Sequence, residues 1–322
     1  MFIDGKGSAR ILVVRLGAMG DILHALPAVA SLKHSFRGAR LTWLMKPQWA
    51  PLLEGNPFVD RLVLLRRELP GGLYRTWREL RSEEYDFAVD FQGLLQSAVL
   101  ASAAHPERIY GFHRSQLRER AAGIFYSSRT LSAAQHVVDR NLDLAAAAGA
   151  TSALLAFPLP AGSPEGQLPD SDFVLASPLA GWRSKQWPLE HYAVVAGRLR
   201  RELGVPLVLN APPGASFPQV PDGILHCSGL SGLIHATRRA AAVLGVDSGP
   251  LHLAAALGKP GVALFGPTDP ARNGPYGGTI QMLRSPGAVT TYKRDSTIGE
   301  SMRQIGPDLV FAALKTALGC LV

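Results

Sequence analysis

Only two of the 322 residues are cysteine, Cys227 and Cys320, far apart and without neighbours at metal-ligand spacing. That scarcity excludes a disulfide framework, argues against a zinc site and fits a reducing cytoplasm. Long apolar runs are also missing, since the stretch from Ala240 to Gly266 is interrupted by Asp247, His252 and Lys259 and would carry charge through a bilayer. The opening Met1-Phe2-Ile3-Asp4-Gly5-Lys6 has none of the regions of a signal peptide, so an unsecreted, soluble chain is expected. Three motifs are absent as well. Gly17-Ala18-Met19-Gly20-Asp21 does not make G-x-G-x-x-G, and there is neither a G-K-S/T triplet nor a G-x-S-x-G elbow, which weakens nicotinamide oxidoreductase, P-loop and α/β-hydrolase readings. No short repeat or low-complexity tract occurs.

What is present is a globular composition, 47% hydrophobic and 18% charged, with 24 prolines and 33 glycines to terminate many short elements. The length suits two domains. The net charge of +8 divides as +5 over residues 1–156 and +3 over 157–322. Arg61, Arg66, Arg67, Arg75, Arg78 and Arg81 stand against only Glu68 and Glu79, and a second run holds Arg108, Arg114, Arg118, Arg120 and Arg129. Two readings stand: solvated helix faces, or a surface for a phosphorylated or membrane-bound anionic substrate, because guanidinium pairs with phosphate through two parallel hydrogen bonds.

Apolar runs at 11–16, 41–45, 62–65 and 87–90 alternate with helical spacing at 22–32, 47–54, 73–84 and 94–104, the pattern of a parallel sheet wrapped on both faces. Phe157 to Gly166 is too rich in Pro and Gly for a core element and reads as a linker. A second series follows, with strands at 173–176, 206–209, 242–246 and 261–265 and helices at 190–203, 231–239 and from Pro250. The predicted fold is therefore α/β, two doubly wound Rossmann-like domains over 1–160 and 161–322. A last helix at about 307–319 opens on Gly306-Pro307-Asp308 and is expected to dock, with a crossing back to the first domain as one option.

In such sheets ligands bind beyond the carboxyl ends of the strands, where glycine turns and helix N-termini meet anions. Asp21, before Ile22-Leu23-His24, reads either as a helix N-cap or as a general base within reach of an attacking hydroxyl. Asp247-Ser248-Gly249-Pro250-Leu251-His252 reads either as a cap beside a core histidine or as a diphosphate site. Lys185 can set positive charge against a phosphate leaving group.

Taken in order, Arg15 to Pro27, Asp90-Phe91-Gln92-Gly93-Leu94, Gln135 to Arg140, Lys185-Gln186-Trp187-Pro188, Asp247 to His252 and Phe265-Gly266-Pro267-Thr268-Asp269-Pro270 resemble the heptosyltransferase family, glycosyltransferase family nine, and its heptosyltransferase I branch in particular. The resemblance runs from about Arg10 to Leu318. It implies a GT-B enzyme with an acceptor-binding N-terminal domain and a donor-binding C-terminal domain about a central cleft. The implied activity is inverting, metal-independent transfer of L-glycero-D-manno-heptose from its ADP donor to the Kdo region of lipid A. Carried over by motif, Asp21 is the base. Lys185, Asp247, Ser248, Gly249 and His252 line the donor pocket with Ala180 and Gly181, while Gly20, His24, Gln92, Arg66, Arg67, Arg114, Arg118 and His136 are candidates for the acceptor. No cofactor or metal is implied, since the nucleotide-sugar is a substrate. The partners are that donor and an anionic glycolipid, with no nucleic acid, at a cytoplasmic location peripheral to the inner membrane.

Two departures from the family's pattern bear on the donor. Asn210-Ala211-Pro212-Pro213-Gly214-Ala215-Ser216 contains no acid where the family carries one for the donor ribose, and Ala180-Gly181 stand where hydroxyl side chains are usual. A relative using another nucleotide-sugar, or a protein or other glycan acceptor, is the alternative within the class. A noncatalytic nucleotide-sugar-binding subunit is the alternative outside it.

Overall fold

The computed structural model describes residues 8–215, 217–291 and 295–319, and Cys320 lies outside them. The chain divides into two units, Met1–Pro160 and Ala161–Val322.

In the first unit the order is β1 (Arg10–Val14), α1 (Met19–Ser35), β2 (Arg40–Met45), β3 (Arg61–Leu64), α2 (Gly72–Leu80), β4 (Phe87–Asp90), α3 (Leu95–Ala103), β5 (Arg108–Phe112), β6 (Ser128–Thr130) and α4 (Val137–Ala147). The helical spacing at 47–54 closes as a 3-10 helix, Pro47–Leu53, because Pro51 inside it cannot donate an α-helical hydrogen bond. A second 3-10 helix spans Arg120–Phe125. All strands are parallel, in the order β3-β2-β1-β4-β5-β6. The central strand β1 is buried on both faces, with Ile11, Leu12, Val13 and Val14 inaccessible, as a parallel sheet covered by helices requires.

The second unit runs β7 (Val174–Ser177), α5 (Leu189–Arg198), β8 (Leu207–Ala211), β9 (Gly223–Cys227), α6 (Leu230–Arg239), β10 (Ala242–Val246), α7 (Gly249–Ala256), β11 (Gly261–Phe265), α8 (Pro270–Asn273), β12 (Ile280–Arg284), α9 (Glu300–Arg303) and α10 (Pro307–Ala317). Its sheet is again parallel, β12-β11-β10-β7-β8-β9. Counted from its own first strand, this is the 3-2-1-4-5-6 order of the first unit, the arrangement that places ligand sites between the first and fourth strands. The proline- and glycine-rich stretch holds no helix or strand. Its Glu165 carboxylate accepts from the N–H groups of Gly229 and Gly232, capping α6 from outside the helix. The terminal helix α10 packs on α5 and β11 within its own unit, and Trp187, the aromatic of the Lys185 motif, is fixed there by Nε1 donating to the Ile305 carbonyl at 2.9 Å. No helix among the described residues is long and apolar enough to cross a membrane.

Candidate active site

At the carboxyl end of β1 the chain turns sharply, and Gly17 is required because a Cβ there would stand 2.6 Å from Trp49 Nε1. Asp21 is not the N-cap of α1. Ala18 is, and Asp21 occupies the third helical position, its Oδ2 accepting from the Ala18 N–H at 3.1 Å. This is the reach-back half of a capping box, open to any acid three residues into a helix. The other oxygen, Oδ1, is 2.7 Å from the guanidinium of Arg15, which is buried while the Asp21 side chain is 43% exposed. The carboxylate is thus oriented from behind by two donors and presents its remaining lone pairs outward.

Arg15 in turn donates to the Phe91 carbonyl, and Gln92 Oε1 accepts from the Leu16 N–H at 3.0 Å. The loop after β4 therefore holds the loop after β1. Beneath it, fully buried Asp90 accepts from Ser97 Oγ at 2.8 Å, Tyr126 Oη at 2.7 Å and the N–H groups of Gln92 and Gly93. Burial pushes the Asp90 carboxyl above its ordinary range, offset in part by these hydrogen bonds. Burial and the Asp90 charge push the Tyr126 hydroxyl up as well.

Gly20 and His24 lie on α1, both buried. The His24 ring meets that of His136 edge-on at 5.6 Å, and His136 caps α4 by accepting from the Val138 N–H. Gln92 and this histidine pair are thereby built into the first unit. Arg66, Arg67, Arg114 and Arg118 stand exposed at its surface. Arg61, from the same cluster, is instead tied to Glu83 at 2.9 Å.

In the second unit Lys185, in the 3-10 turn Arg183–Lys185 after β7, places Nζ 2.6 Å from Asp247 Oδ2 beyond β10 and 4.4 Å from the centre of the Trp182 ring. His252, one turn into α7, brings Nε2 to 3.7 Å from Asp247 Oδ1. Burial alone would raise the Asp247 carboxyl, but the His252 ring and the Lys185 ammonium outweigh it and hold the group well below the carboxylate range. Ser248 is the N-cap of α7, with Gly249 as its first residue, yet the Ser248 hydroxyl caps nothing. Ser248 Oγ, Ser184 Oγ and Thr268 Oγ1 are all buried without a hydrogen-bond partner among the described residues, an arrangement that costs stability unless a bound group answers it. They follow β10, β7 and β11, so three unanswered donors, a lysine and a helix N-terminus lie along one sheet edge, the means of holding a diphosphate.

Ala180 and Gly181 sit in the loop before Lys185. A Cβ at Gly181 would meet nothing, so this loop offers backbone groups and open space in place of hydroxyls. The Asn210 side chain is buried and engaged by Ser228 Oγ at 3.0 Å, and Ser216 lies outside the described residues. Sequence reasoning missed Arg15, Asp90, Tyr126, Ser184 and Thr268. The signal for the first two was available, since a charged residue ending an apolar, doubly covered strand must find a partner. That for the hydroxyls was not, because it lies in the partners they lack.

The model of the family described as Glycosyltransferase family 9 (heptosyltransferase) matches residues 73–299. The lipopolysaccharide heptosyltransferase 1 of Pseudomonas aeruginosa is 29% identical over 303 residues, covering 83% of this chain and 81% of the relative. Among solved structures, the E. coli heptosyltransferase WaaC with ADP superposes with a TM-score of 0.75 at 24% identity, over 96% of this chain and 99% of the other. The same enzyme with ADP-2-deoxy-2-fluoro heptose gives 0.75 at 23%, over 95% and 99%. These likenesses agree with the paired sheets in assigning the GT-B fold. The chain belongs to glycosyltransferase family 9 and is a glycosyltransferase.

Proposed function

We propose that this enzyme transfers heptose from ADP-L-glycero-D-manno-heptose to the Kdo region of lipid A, with inversion, in lipopolysaccharide inner-core synthesis. The observation that carries the reading is the matched pair of sites at equivalent sheet edges, an oriented and accessible carboxylate in one unit and a cationic, donor-rich edge in the other. Asp21 takes the proton of the acceptor hydroxyl as its oxygen attacks the anomeric carbon. The bond from that carbon to the β-phosphate oxygen breaks on the opposite side, and its electron pair leaves with ADP. Lys185, the N-terminus of α7 and the hydroxyls of Ser248, Ser184 and Thr268 receive the charge that develops on the diphosphate. Asp247 holds Lys185 in place, with His252 behind it. This assigns charge stabilisation to the protein and not to a metal ion, so full turnover in excess EDTA is expected.

The relatives' names, and the ADP and ADP-heptose analogue carried by the E. coli structures, support the donor. A second reading, another nucleotide-activated sugar, draws on the missing hydroxyls at Ala180-Gly181 and the missing acid between Asn210 and Ser216. Thermal stabilisation by a panel of ADP-, UDP- and GDP-sugars separates the two, because a ligand that binds only the folded state raises the melting temperature. The proposal expects a shift selective for ADP-heptose, followed by transfer to Kdo-lipid A. A larger shift with a UDP- or GDP-sugar would replace it by the second reading.

A further inference from the structure

One surface of the first unit is left unused by the transfer chemistry. Leu69, Leu73, Tyr74 and Trp77 are between 42% and 61% exposed, and the Tyr74 and Trp77 rings lie 5.6 Å apart. Successive helical residues advance by about 100°. Leu73, Trp77 and Tyr74 therefore fill one arc of about 100° on α2, beside the buried arc of Gly72, Thr76 and Leu80. Arg78 and Arg75 fill the next arc. The core needs only the buried arc, so the apolar stripe of α2 is wider than its packing explains. The neighbouring helix α3, in contact with α2, adds exposed Leu95 and Val99.

Charge decides what this face fits. Of the acids nearby, Glu79 and Glu83 are engaged by Arg61, Glu83 also by Arg40, and Glu84 by Arg10, which leaves exposed Glu68 in the loop before α2 against Arg66, Arg67, Arg75 and Arg78. Arg75 and Arg78 make no ion pair among the described residues, and Arg75 reaches only the Pro70 carbonyl. Aromatic and aliphatic side chains bordered by unneutralised arginines match the interface of an anionic bilayer, with rings at headgroup depth and guanidinium groups on phosphates. Position agrees. Because all strands are parallel, the loop after β3 and the start of α2 emerge at the same sheet edge as Arg15 and Asp21.

We propose that α2 and the loop before it form an interfacial membrane-docking element that seats the first unit on anionic phospholipid beside the acceptor hydroxyl. The inference rests on the lipid-linked acceptor proposed above, but its test does not use transfer. The full-length chain is sedimented with phosphatidylcholine vesicles, with and without about 30% phosphatidylglycerol, as wild type, Leu73→Ser/Tyr74→Ser/Trp77→Ser and Arg75→Gln/Arg78→Gln. Melting temperature and ADP-induced stabilisation serve as folding controls. Wild type is expected to bind the anionic vesicles and to be released by salt. Either variant should lose about tenfold or more in partitioning while keeping ADP binding, and Trp fluorescence should shift to the blue on vesicle addition in wild type but not in Trp77→Phe. Equal partitioning of wild type and the triple variant, or none by wild type, would overturn the proposal. So would self-association lost in the triple variant without vesicle binding, which would make a second copy the occupant. A chain that binds vesicles through α2 but fails to turn over ADP-heptose would sink the proposed donor and leave the docking element standing.

Discussion

Asp90 and Asp247 occupy the same place in the two units, at the carboxyl end of the fourth strand of a six-stranded parallel sheet, and their surroundings drive them in opposite directions. Asp90 is met only by neutral donors, so burial prevails and its carboxyl is pushed up. Asp247 is met by Lys185 and His252, so the charged form prevails and its carboxyl is held down. The first unit uses its aspartate to hold a loop, and through it the Arg15–Asp21 pair. The second uses its aspartate to hold a lysine at a helix N-terminus. One topology thus carries two opposite electrostatic environments, set by side chains at the strand ends and not by the sheet.

The largest effect is expected at Asp21. Asp21→Asn keeps one oxygen for the Ala18 N–H but sets its amide N–H groups against the buried Arg15 guanidinium and cannot take a proton, so kcat should fall by about 10²–10⁴-fold with a lowered melting temperature. Retained turnover in that variant would leave Asp21 a capping residue only. Next in size is Lys185→Met, which leaves the Asp247 carboxylate without its cation and should cost about 3 kcal/mol in urea unfolding. Adding Asp247→Asn should recover part of that loss. Smaller again, Tyr126→Phe removes one of four hydrogen bonds to Asp90 and should cost about 1–3 kcal/mol, with kcat reduced less than in Asp21→Asn.

The smallest effect is the most specific to the comparison. Asp90 has a raised folded pKa, so its contribution to stability is present below the ordinary carboxylate range and is lost as pH rises through the folded value. Asp247 has a lowered one, so its contribution is present above that range and is lost as pH falls through the folded value. The stability of wild type relative to Asp90→Asn should therefore decline from acid to neutral pH, and relative to Asp247→Asn it should grow. Parallel trends in urea titrations would mean that the two environments do not differ as described.

The central strands β1, β4, β7, β8, β10 and β11 were legible because burial on both faces makes them nearly continuous apolar runs. The strands β5, β6, β9 and β12 were not. At the sheet edges β9 is largely exposed and β12 exposes Gln281 and Met282 between buried Ile280 and Leu283, β6 is only Ser-Arg-Thr, and Arg108 at the start of β5 reads as part of a charge cluster. The candidate site was legible where a residue stands in a local turn motif, as Asp21, Lys185 and Asp247 do. It was illegible where meaning depends on a partner distant in the chain. Arg15 reaches residue 91 and Tyr126 reaches residue 90, and no local pattern marks either link. The arginine cluster resolved unevenly, since Arg61 is a structural ion-pair partner while Arg75 and Arg78 stay without one among the described residues.

The division of labour between the units is tested most directly by calorimetric titration of ADP into wild type, Asp21→Asn and Lys185→Met. Asp21→Asn should bind ADP within about twofold of wild type, while Lys185→Met should bind it about 10- to 100-fold more weakly, the loss of one hydrogen bond to a charged group. Equal weakening in both variants, or undiminished binding in Lys185→Met, would contradict that division.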